Sequence, residues 1–266
     1  MPSKTLRIFV SVMAAAEIML VSLLLAYVNG HRIIKLDTLI PPTVIGSYDG
    51  VRLAYPSYAL SAEDSEEKAV HSAVKGYITD NYAELLTLVN PWNELEKGYV
   101  PELCEVEDGY RVDVRCADAL KKMLEDCREA GNPAVLCSAY RTQMYQQELF
   151  DNKVRRLIAE GVKREDAKAE AAKSVAPPGT SEHQLGLAVD IIDFDYPYLD
   201  SKQEDTPTQK WLMSHCAEYG FILRYPNGSS DITGIIYEPW HYRYVGVISA
   251  REIMERGITL EEYLAK

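Results

Sequence analysis

Apolar positions in this chain fall into one run long enough to cross a bilayer, several helical stripes and a few short blocks of strand character. The long run is residues 8–28, preceded by Lys4 and Arg7 and interrupted among charged types only by Glu17. About twenty apolar residues span a bilayer, whereas the apolar region of a secretory signal has ~7–15 and ends in a small-x-small cleavage site. Ala26-Tyr27-Val28 matches such a site poorly. Basic residues on the N-terminal side orient the segment with its N-terminus inside. Glu17 opposes insertion, at a cost of about 2.5–3.5 kcal/mol for a charge at mid-membrane. Residues 1–30 are therefore expected to form a membrane anchor, with a cleaved signal as the alternative, and the remainder is expected to be extracytoplasmic.

Beyond it, residues 31–61 contain Pro41, Pro42 and Pro56 among short apolar runs and read as a connecting segment. Residues 63–88 favour a helix that opens on Glu63, Asp64, Glu66 and Glu67, the charge that a helix N-terminus prefers, and Asn90-Pro91 ends it. Residues 31–84 are taken as a stalk and 85–266 as one domain. Within the domain, Leu120, Met123, Leu124 and Cys127 form an i, i+3, i+4, i+7 stripe over residues 117–130, closed by Gly131 and Pro133. Residues 134–137 read as a buried strand, 142–160 as a helix and 163–173 as a solvated helix. Pro177-Pro178-Gly179 breaks the chain. Residues 187–192 then read as a strand buried on both faces. Thr206 and Pro207 are the N-cap and first residue of another helix, with Trp211, Leu212, His215, Cys216 and Tyr219 on its stripe. Residues 221–223 and 234–237 are expected strands around an Asn227-Gly228 turn, 242–245 continues the sheet, and 248–256 and 260–265 are short helices. The expected class is α+β, a small, mainly antiparallel sheet flanked by helices.

Composition narrows the partners. Hydrophobic residues make up 47% and charged ones 26%, as in an ordinary globular chain. With 28 Lys+Arg against 40 Asp+Glu the net charge is −12, which argues against nucleic acid as a partner. Nothing points to an obligate protein partner. Five cysteines with no C-x-x-C spacing cannot all pair within one chain, and they read as small buried hydrophobes.

Candidate chemistry begins with His183 and Asp190. Seven residues of extended chain would hold them about 23 Å apart at ~3.3 Å per residue, and a helix about 10 Å apart at ~1.5 Å per residue. Sharing one metal ion at ~2 Å therefore requires the segment to double back, for which Gly186 is the suitable residue. A His-x6-Asp pair alone is a chance pattern. Downstream, Glu238-Pro239-Trp240-His241 adds a second histidine and a carboxylate. Together these give His183, Asp190 and His241 as three N/O ligands, a common number for a catalytic zinc site with an open position. Glu238 is left over in the place of a general base. Other candidates are weaker: His31 and His71 lack nearby partners, His215 reads as a core histidine, and Asp193 and Asp195 as solvated loop carboxylates. Tyr242 and Trp240 flank a ligand and would serve equally as pocket walls or as core. No serine lies in a G-x-S-x-G context.

The pattern Ser181-x-His183-x-x-Gly186-x-Ala188-x-Asp190, followed some fifty residues later by Glu238-Pro239-Trp240-His241, resembles the zinc D-Ala-D-Ala carboxypeptidases of the VanY type. These belong with lysostaphin-like endopeptidases, D,D-dipeptidases and the hedgehog N-terminal domain. Leu88-Val89-Asn90-Pro91-Trp92-Asn93, Tyr99-Val100-Pro101 and Ser138-Ala139-Tyr140-Arg141 extend the resemblance, which covers about residues 85–246. It implies a hedgehog/D,D-peptidase-like fold and one Zn²⁺ on His183, Asp190 and His241, with Glu238 as catalytic base. Arg141 matches the family's substrate-binding arginine, with the bidentate geometry that a carboxylate or oxyanion requires. Ser181 and Gln146 match substrate contacts more loosely, and Tyr140 and Trp240 are further candidates. Ala139 stands where the family often has glycine. The implied activity is removal of C-terminal D-Ala from peptidoglycan stem peptides. An L,D-carboxypeptidase, a peptidoglycan endopeptidase or a non-catalytic zinc-containing wall-binding module are the alternatives.

Overall fold

A computed structural model describes residues 83–265, which lie within one compact unit spanning 82–266. The expected anchor, most of the stalk, His31 and His71 lie outside the described residues. Among the described residues no helix is long and apolar enough to cross a membrane. The architecture is α+β: a hairpin of β1 (Leu103–Glu107) and β2 (Tyr110–Asp113), and a four-stranded antiparallel sheet. The sheet comprises β3 (Ala134–Ser138), β4 (Ala188–Asp193), β5 (Phe221–Leu223) and β6 (His241–Tyr244), in the order β3-β4-β6-β5.

Around it lie α1 (Ala117–Glu129), α2 (Gln143–Ala159), α3 (Ala167–Ala172), α4 (Pro207–His215), α5 (Ser230–Thr233), α6 (Val247–Arg256) and α7 (Leu260–Leu264). The predicted stripe of α1 buries Leu120, Met123, Leu124 and Cys127 in the main core with Leu136, Val189, Ile191, Leu212 and Tyr242. β4 is buried along all six residues, as a central strand covered on both faces must be. Thr206 caps α4 by accepting from the Gln209 amide, ahead of Pro207, and Thr259 and Glu262 form a reciprocal capping box on α7. All five cysteines are free thiols; Cys116, Cys127 and Cys216 are buried and Cys104 and Cys137 half-buried.

Three expectations are corrected, and one element is new. The described end of the 63–88 helix is a 3-10 turn, Ala83–Leu86, followed by irregular chain. Residues 234–237 are not a strand. After α5 the chain is irregular, and the Ile236 amide donates to the Lys173 carbonyl at 2.8 Å instead of to a sheet partner. The 163–173 segment is helical only over α3, where Ala167 and Ala171 are fully buried rather than solvated. The β1–β2 hairpin was not anticipated at all. Its two-residue loop, Asp108-Gly109, has both φ values positive, 50° and 80°, the requirement of the tight primed turns that suit strand twist.

Candidate active site

The sheet register sets the site. Asp190 on β4 is paired directly with His241 on β6, so both side chains project from the same face. Their neighbours Val189 and Tyr242 are likewise paired and project oppositely. Tyr242 is therefore core, fully buried, with its hydroxyl donating to Gln209 Oε1 at 2.8 Å. His183 arrives from the 3-10 turn Glu182–Leu185, and Gly186 at φ 73° turns the chain into β4. That position is also crowded: a Cβ on Gly186 would lie 3.0 Å from the Asp113 amide nitrogen, which itself donates to the Gly186 carbonyl at 2.9 Å. The hairpin thus seats the turn that folds His183 back over Asp190. Glu238 reaches the same place through a tight turn, in which the His241 amide donates to the Glu238 carbonyl at 3.2 Å. Pro239 occupies the position that proline favours in such turns.

His183, Asp190 and His241 are buried, and one ligand atom from each lies within 4.8 Å of the others. His183 Nδ1 sits 2.8 Å from the Ala139 carbonyl, an acceptor only, so the proton belongs on Nδ1. Nε2 then turns its lone pair toward Asp190 Oδ2 at 3.3 Å. His241 Nδ1 lies 3.0 Å from Asp190 Oδ1 and 3.8 Å from Glu238 Oε2. Converging lone pairs at these separations are held together by a shared proton or by a cation between them. In a tetrahedral zinc site with bonds of ~2.0–2.1 Å, ligand atoms stand about 3.3 Å apart. The three residues fit Zn²⁺.

Electrostatics agree with that reading. Burial pushes the Glu238 carboxyl up to about 8, with Asp190 adding to the effect against the pull of His241. Burial acts to lower His241, but its carboxylate neighbours, Asp190 first, raise it to about 9. His183 is pushed down to about 4 by burial, reinforced by Arg141. Asp190 resists the upward push of burial and stays well below the usual carboxylate range because His183, His241 and Arg141 surround it. A resident divalent cation would hold both imidazoles neutral and unprotonated at the ligating atom.

The remaining candidates separate. Arg141 enters the site directly: its Nη2 donates to Asp190 Oδ2 at 2.6 Å, and Nε and Nη2 donate to Ser138 Oγ. Gln146 is fully buried and engaged at both ends, accepting from Arg141 Nη1 at 3.4 Å and donating to the Ala176 carbonyl at 2.7 Å. Its side chain thus bridges Arg141 and the Ala176 carbonyl. Ser181 and Trp240 are buried and Tyr140 half-buried. Asp193 is no solvated loop group; it is buried and accepts from the amides of Asp195 and Thr208. His215 stacks on Trp211 at 4.4 Å and bonds its carbonyl, away from the site. Sequence reasoning missed Glu182, buried 3.7 Å from His241 Nε2, and Tyr225, whose ring lies 4.8 Å from the His241 ring. A carboxylate next to His183, within a segment that is otherwise uncharged between Thr180 and Val189, was the available signal for Glu182.

Comparison with known proteins gives a consistent result. The chain is 40% identical over 225 residues to a D-alanyl-D-alanine carboxypeptidase of Enterococcus faecalis, covering 85% of this chain and 78% of that one. Among solved structures, it matches a mutant of the vancomycin resistance D,D-pentapeptidase VanY in complex with Zn(II) with a TM-score of 0.63 and 41% identity, over 68% of this chain and 99% of that one. VanYB in complex with D-alanine-D-alanine matches with a TM-score of 0.62 and 42% identity, over 68% and 97%. The LD-carboxypeptidase LdcB matches with a TM-score of 0.60 and 36% identity, over 68% and 86%. Residues 109–247 match the VanY family itself, described as D-alanyl-D-alanine carboxypeptidase, and with the His183–Asp190–His241 cluster at the heart of that region the chain belongs to the VanY family.

Proposed function

We propose that this protein is a zinc D,D-carboxypeptidase that removes the C-terminal D-Ala from peptidoglycan stem peptides. The observation that carries the reading is the position of Glu238. Its carboxylate lies beside the ligand cluster, 3.8 Å from His241 Nδ1, and makes no side-chain hydrogen bond among the described residues. Such a carboxylate is free to take and return a proton.

His183 Nε2, His241 Nδ1 and an Asp190 oxygen would hold Zn²⁺, which when bound supplies Lewis-acid polarisation of the scissile carbonyl and acidifies a water. Glu238 accepts that proton and returns it to the leaving amine. Burial raises its carboxyl in the metal-free site, and a cation bound beside it would pull it back down, leaving a carboxylate able to accept the proton. Arg141, partly exposed and held by Ser138, Gln146 and Asp190, offers its remaining donor capacity to the terminal carboxylate or the oxyanion formed beside it. Ser181, Tyr140 and Trp240 are the further candidates for substrate contact. Residues 1–30, apolar behind Lys4 and Arg7, would tether the enzyme to the membrane with the catalytic domain on the cell-wall side.

A non-catalytic wall-binding module has no use for Glu238. Incubation of the purified protein with stem pentapeptide and tetrapeptide tests the assignment. Release of D-Ala from the pentapeptide, lost with chelator and restored by Zn²⁺, is the expected result. Release from the tetrapeptide alone would replace it with an L,D-carboxypeptidase, and chelator-insensitive release would remove the metal from the mechanism.

A further inference from the structure

Behind the ligand cluster lies a set of buried charges that the chemistry above does not use. Arg224 and Arg243 are fully buried, as is the Glu182 side chain. Glu182 Oε1 accepts from both, from Arg224 Nε at 2.7 Å and from Arg243 Nη1 at 2.8 Å. Arg224 also makes a two-point pair with Glu261 on α7. Arg243 Nη2 donates to the carbonyls of Leu85 and Thr87. Glu182 is thereby held from two sides.

Its second oxygen is different. Glu182 Oε2 is buried without a hydrogen-bond partner, and so is His241 Nε2. These two orphans face each other across 3.7 Å. Closing that gap by about 0.7 Å makes a normal N–H···O bond, which would relieve both buried groups. We infer that Glu182 is a positioning residue for His241: it holds the proton on Nε2 and thereby presents the Nδ1 lone pair to the metal. The inference rests on the reading of His241 as a zinc ligand. A second hydrogen bond of this kind commonly fixes tautomer and ring orientation at metal-bound histidines. For His183 the Ala139 carbonyl does the same at 2.8 Å. For His241 the partner is a carboxylate whose other oxygen is already saturated by two arginines.

That arrangement makes Glu182→Gln informative. The arginines need an oxygen at the Oε1 position, so the amide NH₂ of glutamine would face His241 Nε2. A donor there favours an unprotonated Nε2, the wrong tautomer for binding through Nδ1. Zinc affinity, measured by competition with a chromophoric chelator, should fall about 10–100-fold. Glu261→Gln disturbs the same charge cluster without reaching His241; it should lower the melting temperature while leaving zinc affinity within twofold of wild type. Wild-type affinity in Glu182→Gln, or an equal loss in both variants, would overturn the inference. Should Glu182→Gln not fold, the wild-type protein decides. Histidine side-chain nitrogen NMR of the zinc-loaded enzyme should show His241 metallated at Nδ1 and carrying a hydrogen-bonded proton on Nε2. Zinc at Nε2 would overturn this inference alone, and a wild-type protein that takes up no zinc would overturn both it and the site assignment.

Discussion

Asp190 and His241 stand opposite each other in the β4–β6 register, and their side chains meet at 3.0 Å between Oδ1 and Nδ1. In the metal-free protein this contact needs a proton, and the neighbouring carboxylates raise His241 to about 9 so that it keeps one at pH 7. Zinc has to displace it. Zinc uptake near pH 7 should therefore release about one proton from His241, seen by titration calorimetry in buffers of different ionisation heat. Zinc affinity should climb with pH by up to about tenfold per unit, levelling near the His241 pKa. Affinity independent of pH between 6 and 8 would show that the site is not built as described.

Glu238 should be separable from the metal. Glu238→Gln is expected to keep one zinc while hydrolysis falls by about 10²–10⁴-fold, the usual worth of a general base. The sign of its effect on stability follows from the raised pKa. Because the folded state binds this proton more tightly than the unfolded chain does, stability falls as pH rises from about 4.3 toward the folded value of about 8. Glutamine removes that penalty. At pH 8 the zinc-free variant should melt above zinc-free wild type, by about 2–4 °C for each kcal/mol of the penalty removed in a domain of this size. Loss of zinc from the variant would make Glu238 a ligand instead.

Much of this was written in local patterns. The stripe Leu120, Met123, Leu124, Cys127 gave α1, Thr206-Pro207 gave the start of α4, and the apolar block behind Gly186, broken only by Asp190, gave the central strand. The three ligand candidates could be picked out because histidines are scarce in this chain and two of them sit in dense motifs. The hairpin was overlooked although Asp108-Gly109, between alternating residues, announces it. Residues 234–237 misled because an apolar run that packs against the end of α3 has the same composition as a strand. Glu182 was not legible as a partner of His241. Its role depends on Arg224, Arg243 and His241, between 42 and 61 residues away for the arginines, and local periodicity does not encode such distances.

Gly186 tests the link between the hairpin and the site. Alanine would have to adopt φ 73°, at a cost of about 1–2 kcal/mol for an L-residue in the left-handed region. Its Cβ would also press on the Asp113 amide at 3.0 Å and on Leu103 Cδ2 at 3.2 Å. Gly186→Ala should lower the melting temperature by at least about 3 °C and weaken zinc binding, because the turn carrying His183 must shift. An unchanged melting curve would mean that the turn is looser than its contacts indicate.

Arg141 carries the assignment of carboxypeptidase as opposed to endopeptidase. Its guanidinium is tied to Asp190 and Ser138 and steadied by Gln146, which fixes its plane beside the ligand cluster. If it also receives the substrate's terminal carboxylate, the charged hydrogen bond is worth about 1.5–3 kcal/mol, or roughly ten- to 150-fold in kcat/KM. Wild type should accordingly hydrolyse a free pentapeptide far faster than the same peptide with its C-terminus amidated. Arg141→Lys keeps the charge but not the guanidinium contacts to Ser138, Gln146 and Asp190 that aim its remaining donor, so it should lose most of that preference, chiefly through KM, while retaining zinc because His183, Asp190 and His241 are all present. Equal rates on the acid and the amide in wild type would mean that the site does not read a chain end, and would favour a cross-bridge endopeptidase.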